Sequence, residues 1–158
     1  MNYIIRQAVL QDLPGLCSVR NNEKLFRSYL NQQENNKVIL VAAAAEDIDH
    51  VILGFGLLKL HGMQVPKLSD LYVKEEFRGQ GAGSAMIKYR EKCAIGLGFN
   101  EIFVSVDPVE NPKMIKLITS HGYQAITEPY TKEAVYYNED GSGYKKTYIR
   151  VDLKKQLL

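Results

Sequence analysis

The spacing of apolar and polar positions changes several times along the chain, and each change marks an element. Tyr3 to Ala8 predicts a first strand. Asp12 suits an N-cap, and Leu13, Leu16 and Val19 follow it at helical spacing. A second helix is predicted over Glu23 to Leu30, before a polar break at Asn31 to Asn36. Val38 to Ala45 and Val51 to Leu60 are apolar runs around Glu46-Asp47-Ile48-Asp49-His50, the pattern of a hairpin. After a loop at His61 to Pro66, Leu68 to Val73 predicts a fourth strand, with Asp70 and Tyr72 on one face and Leu71 and Val73 on the other. A long helix then carries an apolar stripe of Ala82, Ala85, Met86, Tyr89, Cys93 and Leu97. Lys88, Arg90, Glu91 and Lys92 lie mostly off that stripe, and Gly96 and Gly98 can end the helix. Ile102 to Val106 predicts another strand. Asn111-Pro112 places a cap and an N1 proline before a last helix, which Gly122 closes. Two strand-like stretches finish the chain, one within Tyr123 to Tyr137 and one from Tyr144 to Leu153. Asn138-Glu139-Asp140-Gly141-Ser142-Gly143 is the turn between them. The order βααβββαβαββ predicts a mixed α/β domain with an antiparallel first half and a strand–helix–strand crossover at its centre.

Composition narrows this picture little. The 158 residues suit one domain covering residues 1–158. A net charge of +2 announces neither a nucleic-acid nor a membrane partner, and none is expected. The two cysteines, Cys17 and Cys93, form no CxxC pair and are expected to be reduced core residues. His50, His61 and His121 have no second ligand at i+3 or i+4, so no metal is expected. The start lacks the apolar run of a signal peptide, and no stretch is long enough to span a membrane, so the cytoplasm is the expected location. Ten tyrosines are many for this length. Tyr123, Tyr130, Tyr136, Tyr137, Tyr144 and Tyr148 fall in the tail, where they would line a pocket or a homodimer seam.

The candidate chemistry lies in Arg78-Gly79-Gln80-Gly81-Ala82-Gly83, between a strand and a helix. Glycines there let the backbone turn sharply and bring its N–H groups close to an anion. The following helix aims its positive end at the same place. A phosphate or pyrophosphate cradle fits this pattern, and so does a plain glycine-rich turn. A Walker loop is excluded, because Gly83-Ser84 is followed by Ala85 and the loop holds no lysine. A dinucleotide fingerprint starting at Gly79 requires glycine or alanine where Ser84 stands. It should also open a βαβ unit, yet four predicted strands precede this loop.

The pattern Arg-x-x-Gly-x-Gly after a strand ending Asp70-Leu71-Tyr72-Val73 resembles the GNAT superfamily of N-acetyltransferases. The resemblance runs over nearly the whole chain. Ile5-Arg6-Gln7-Ala8 with Asp12-Leu13-Pro14 is similar to the family's opening strand and helix, and Leu53-Gly54-Phe55-Gly56 to its third strand. Asn111, Leu117 and Gly122-Tyr123 resemble its Asn…Leu…Gly-Phe motif. The resemblance implies a GNAT-like acyltransferase fold: a central, mostly antiparallel sheet of six to seven strands with a splayed strand pair, flanked by about four helices. It implies acetyl-coenzyme A as co-substrate, an amine as acceptor, and direct transfer through a ternary complex. The backbone around Leu71, Tyr72 and Val73 would pair with the pantetheine arm. The amides of Arg78, Gly79, Gln80, Gly81, Ala82, Gly83 and Ser84 would hold the pyrophosphate, and Asn111 would contact the coenzyme from the far side.

Transfer to an amine requires that the acceptor lose a proton, that charge on the carbonyl oxygen be stabilised and that the thiolate leave. Asp70 is the candidate base, since the family often keeps a carboxylate at this strand position. Burial between Leu68 and Leu71 would raise its pKa. A structural Asp bonded to nearby backbone is the alternative. The chain departs from the family at Ile118, where a tyrosine often serves as the acid, and Tyr72, Tyr123 or His121 would have to replace it. Two other readings compete with an enzyme of this kind. One is a coenzyme A–binding sensor or interaction module on the same fold. The other is a nicotinamide or nucleotide enzyme using the glycine loop.

Overall fold

The computed structural model describes residues 2–137 and 140–158. Asn138 and Glu139, at the start of the expected last turn, lie outside the described residues. The elements are mixed α/β, as the periodicity predicts, with four α-helices among the described residues. The chain divides into two compact units, Met1–Ile102 with Leu157–Leu158, and Phe103–Gln156.

The first unit opens with β1 (Tyr3–Gln7), a 3-10 turn (Leu10–Asp12), α1 (Leu13–Val19) and α2 (Glu23–Glu34). It continues through β2 (Val38–Ala45), β3 (Ile52–Lys59), β4 (Lys67–Val73), a second 3-10 turn (Glu75–Phe77) and α3 (Ala82–Gly96). The strands β1 to β4 form an antiparallel meander, with Ile5 opposite Ala43, Ala42 opposite Phe55 and Phe55 opposite Tyr72. Both faces of β2 are covered, which is why its sequence is apolar without alternation. Leu40, Ala42 and Ala44 pack with Leu13, Leu16, Phe26 and Leu30 from α1 and α2. Val41 and Ala43 point the other way and pack with Leu53 and with Met86 of α3. Phe26 meets Phe55 edge to face, with ring centroids 4.9 Å apart.

Three expectations need correction here. The polar break expected at Asn31 begins later, because α2 continues to Glu34. Gln33 explains the extension: its amide donates to the Ala8 carbonyl (2.9 Å) and accepts from the Leu40 amide (2.7 Å), tying the helix end to the sheet. In α3, Arg90 and Glu91 are buried although they lie off the apolar stripe, and Leu97, placed on that stripe, is the C-cap just past the helix end and is 54% exposed. Asp12 does occupy the N-cap position of α1, but its carboxylate makes no cap bond. It turns back instead to Arg6 (2.6 and 2.8 Å) and the Val9 amide (2.9 Å), and lies 2.9 Å from Nδ1 of His50. His50 is thus part of a polar cluster rather than isolated. Burial pushes the Asp12 carboxyl up, but the bonds from Arg6, Val9 and His50 outweigh it and hold the pKa at about 2.

The second unit holds most of β5 (Glu101–Val106), then α4 (Pro112–Ser120), β6 (Gln124–Ala125), β7 (Tyr130–Tyr137) and β8 (Gly143–Gln156). The short β6 is an addition to the predicted order. Two residues are too few to show a period, and β6 exists only as a partner for β8, with Gln124 opposite Lys154. The long β8 pairs β7 along its first half, with Tyr130 opposite Arg150 and Tyr136 opposite Tyr144. β5 lies beside β8. Asp152 of β8 is buried and accepts hydrogen bonds from Ser105 (2.7 Å) and Tyr130 (2.6 Å). Burial, then this bond and the charge of Asp152, push the Tyr130 phenol up. Cys17 and Cys93 are unpaired and half-buried, and burial raises the Cys93 thiol.

Candidate active site

The end of β4, the second 3-10 turn and the start of α3 place one continuous stretch of candidate residues in the first unit. Gly79 and Gly81 both adopt left-handed backbone, with φ 77° and 85°. A side chain disfavours that conformation, which accounts for glycine at both positions. Gly81 is the N-cap of α3, and its carbonyl accepts the first helical bond, from Ala85 (3.0 Å). An α-helix leaves its first amides without a carbonyl one turn earlier, and its dipole adds positive potential there. The loop and the first turn of α3 therefore aim backbone donors outward, as an anion cradle requires.

Side chains hold this loop in shape. Arg78 donates from Nε to the Val73 carbonyl (2.9 Å), and its guanidinium lies 5.2 Å from the centroid of the Tyr72 ring. The hydroxyl of Tyr3, on β1, donates to the Gln80 carbonyl (3.1 Å). Leu71 and Val73 turn their side chains into the core cluster that includes Met86. Tyr72 is 44% exposed.

Asp70 differs from its expectation. It is exposed, not buried between Leu68 and Leu71. The pairing of β3 with β4 shifts at this point: Gly56 faces Leu71, Leu57 faces Ser69, and Asp70 is skipped. Asp70 is thus the extra residue of a β-bulge, and its φ is 37°. Its carboxylate accepts a hydrogen bond from the phenol of Tyr29, on α2. Burial, the bond to Asp70 and the charge of Asp70, in that order, push the Tyr29 phenol well up. Nothing in the sequence pattern brings Tyr29 forward, because it sits beside Phe26 and Leu30 on an ordinary helix face.

Asn111 and Tyr123 lie in the second unit. Asn111 is exposed at the N-cap of α4, followed by Pro112, and makes no side-chain cap bond. The loop before it is shaped by Asp107, whose carboxylate accepts from the amides of Val109 (2.9 Å) and Glu110 (3.0 Å). That is the role short acidic side chains play in turns. Tyr123 is buried, with the ammonium of Lys155 5.7 Å from its ring centroid. Ile118 is 1% exposed. His121 is half-buried just past α4. Among the described residues no three His, Cys, Asp or Glu side chains gather as a metal site would need. No described helix is long and apolar enough to cross a membrane.

The sequence model of the acetyltransferase (GNAT) family matches residues 6–123. The chain belongs to the GNAT acetyltransferase family. Solved structures agree at the level of fold. An N-acetyltransferase from Staphylococcus aureus Mu50 has 16% identity and a TM-score of 0.74, with each chain covered completely. The ribosomal-protein-S18-alanine N-acetyltransferase of Escherichia coli has 16% identity and a TM-score of 0.72, over 99% of this chain and 94% of the other. A phosphinothricin acetyltransferase from Sinorhizobium meliloti, solved with acetyl-coenzyme A, has 18% identity and a TM-score of 0.70, over 99% and 89%. No curated protein matches in sequence. Within this GNAT chain the match covers the bulged strand, the glycine loop, α3 and α4.

Proposed function

We propose that residues 1–158 form one functional acetyltransferase domain that moves an acetyl group from acetyl-coenzyme A to a primary amine of a small molecule or peptide. The observation that carries this reading is the left-handed pair Gly79 and Gly81 at the N-terminus of α3, directly after the bulge that presents Asp70. The loop amides from Gly79 to Ser84 hold the pyrophosphate; the Arg78 amide, expected to join them, donates instead to the Glu75 carbonyl (3.2 Å). The backbone of Leu71 to Val73 receives the pantetheine arm, and Asn111 contacts the coenzyme. Asp70 is the base that takes the acceptor's proton, directly or through water. Its exposure makes it accessible to an incoming amine. Tyr29 holds the carboxylate in place by donating to it. Tyr72 is the exposed candidate for the acid, because a proton donor must meet the reacting sulfur and Tyr123 is buried. The relatives solved with acetyl-coenzyme A, such as the phosphinothricin enzyme, support the choice of co-substrate.

Two measurements test the proposal. Thermal unfolding is followed with acetyl-coenzyme A, ATP and NAD in parallel. Only the acyl coenzyme is expected to stabilise the protein, by about 2.7 kcal/mol at 100 times its Kd. Gly81→Val should remove that shift while the protein stays folded, because a branched side chain suits neither the left-handed backbone nor the approach of an anion. Release of free thiol with a panel of amines then separates an enzyme from a coenzyme sensor. Stabilisation by NAD or ATP instead, or an undiminished shift in folded Gly81→Val, overturns the assignment of the loop.

A further inference from the structure

A second buried charged side chain of the first unit, besides Asp12, lies beneath the bulge. Arg90, midway along α3, is 1% exposed. Its Nε donates to the Met86 carbonyl one turn back (3.1 Å). Its Nη1 donates to two strand carbonyls, Leu57 on β3 (3.0 Å) and Ser69 on β4 (3.2 Å). Those carbonyls belong to the residue pair at which the β3–β4 register shifts, next to the skipped Asp70. A bulge breaks the regular ladder, and buried carbonyls near it need a donor from elsewhere. A guanidinium supplies several donors in a fixed plane and can bridge two strands at once.

The strand makes room for it. A Cβ built on Gly56 would lie 2.9 Å from Cζ of Arg90 and 3.2 Å from its Nε and Nη1. Gly56 is the residue opposite Leu71, immediately after the skipped position. A glycine in a buried strand interior weakens the strand unless another group must approach closely, and here that group is the guanidinium. The same helix begins at the glycine loop, so α3 carries the proposed coenzyme cradle at one end and the prop of the bulge along its length.

We propose that Arg90, seated over Gly56, is a positioning residue that holds the β4 bulge and so fixes where Asp70 presents its carboxylate. It touches neither reactant. It acts through the backbone of Ser69, whose carbonyl it binds on the residue before Asp70. The functional side of this inference rests on the acetyltransferase reading above, while its structural side stands without it.

The test uses Arg90→Met, Gly56→Ala and the double variant in the full chain. Three readouts are taken: acetyl-coenzyme A affinity, turnover on an accepted amine, and backbone amide exchange over residues 67–74. Arg90→Met is expected to accelerate exchange in 67–74 more than in β2, and to lower turnover at least tenfold with coenzyme affinity within threefold of the parent. Gly56→Ala, which displaces the guanidinium rather than removing it, should do the same more mildly and covers the case in which Arg90→Met fails to fold. The double variant should be no worse than Arg90→Met, because the clash has gone with the side chain. Unchanged exchange in 67–74, additive losses, or coenzyme affinity falling in step with turnover would each overturn the role. If no amine is turned over, the acetyltransferase reading fails, while exchange and non-additivity still decide whether Arg90 holds the bulge.

Discussion

The proposed reaction places its base, Asp70, on an unusual backbone. A non-glycine residue at φ 37° is uncommon, and aspartate is among the few types that tolerate such a backbone. The cost is offset by what surrounds it: the Arg90 bonds to Ser69 and Leu57, and the phenol of Tyr29 on the carboxylate. With Asp70 as base, Asp70→Asn should lower turnover by about 10²–10⁴ while leaving coenzyme affinity little changed. Tyr29→Phe makes a sharper test. The phenol fixes the carboxylate by donating to it, so its loss should lower turnover on an accepted amine about tenfold, with coenzyme affinity little changed. Turnover equal to the parent's would leave the Tyr29–Asp70 pair a purely structural contact.

At the scale of elements, the sequence was legible wherever a single stretch carries its own signal. The two buried central strands announce themselves by apolar runs, and the loop by glycines that the backbone places at positive φ. What stayed hidden depends on partners distant in the chain. Tyr29 meets a residue 41 positions away, and Arg90 reads as a solvated helix residue until β3 and β4 are laid against it. β6 has no pattern of its own and borrows its existence from β8. The burial of Ile118 belongs to the same class. Its position in the family's tyrosine column suggests a vacancy beside the leaving sulfur, which a new phenol would fill to advantage. In α4 its side chain is 1% exposed, so a tyrosine there must fit its larger ring into the interior. Overpacking of this kind typically costs about 1–3 kcal/mol. Ile118→Tyr is thus expected to lower the unfolding midpoint in urea and to bring no gain in turnover. A stable variant with faster turnover and a new alkaline limb would restore the vacancy.

Across the first unit as a whole, the buried carboxylate of Asp12 ties segments that no ladder joins. Arg6 comes from β1, Val9 from the turn, and His50 from the β2–β3 connection, and all three converge on it. Its pKa falls from 3.8 to about 2 in the folded protein. The folded state therefore binds fewer protons than the unfolded state between those values, and stability must fall as the pH does. The contribution is fully present above about pH 4 and is lost as the pH drops through about 2, with a size of about 2 kcal/mol. Urea unfolding at pH 7, 4, 3 and 2.5 measures it. The parent should lose stability across this range more steeply than Asp12→Asn, which cannot titrate there. The two should differ most at pH 7, where the variant leaves the half-buried Arg6 without its charged partner. Parallel pH dependences would place the acid sensitivity elsewhere and reduce Asp12 to a neutral packing contact.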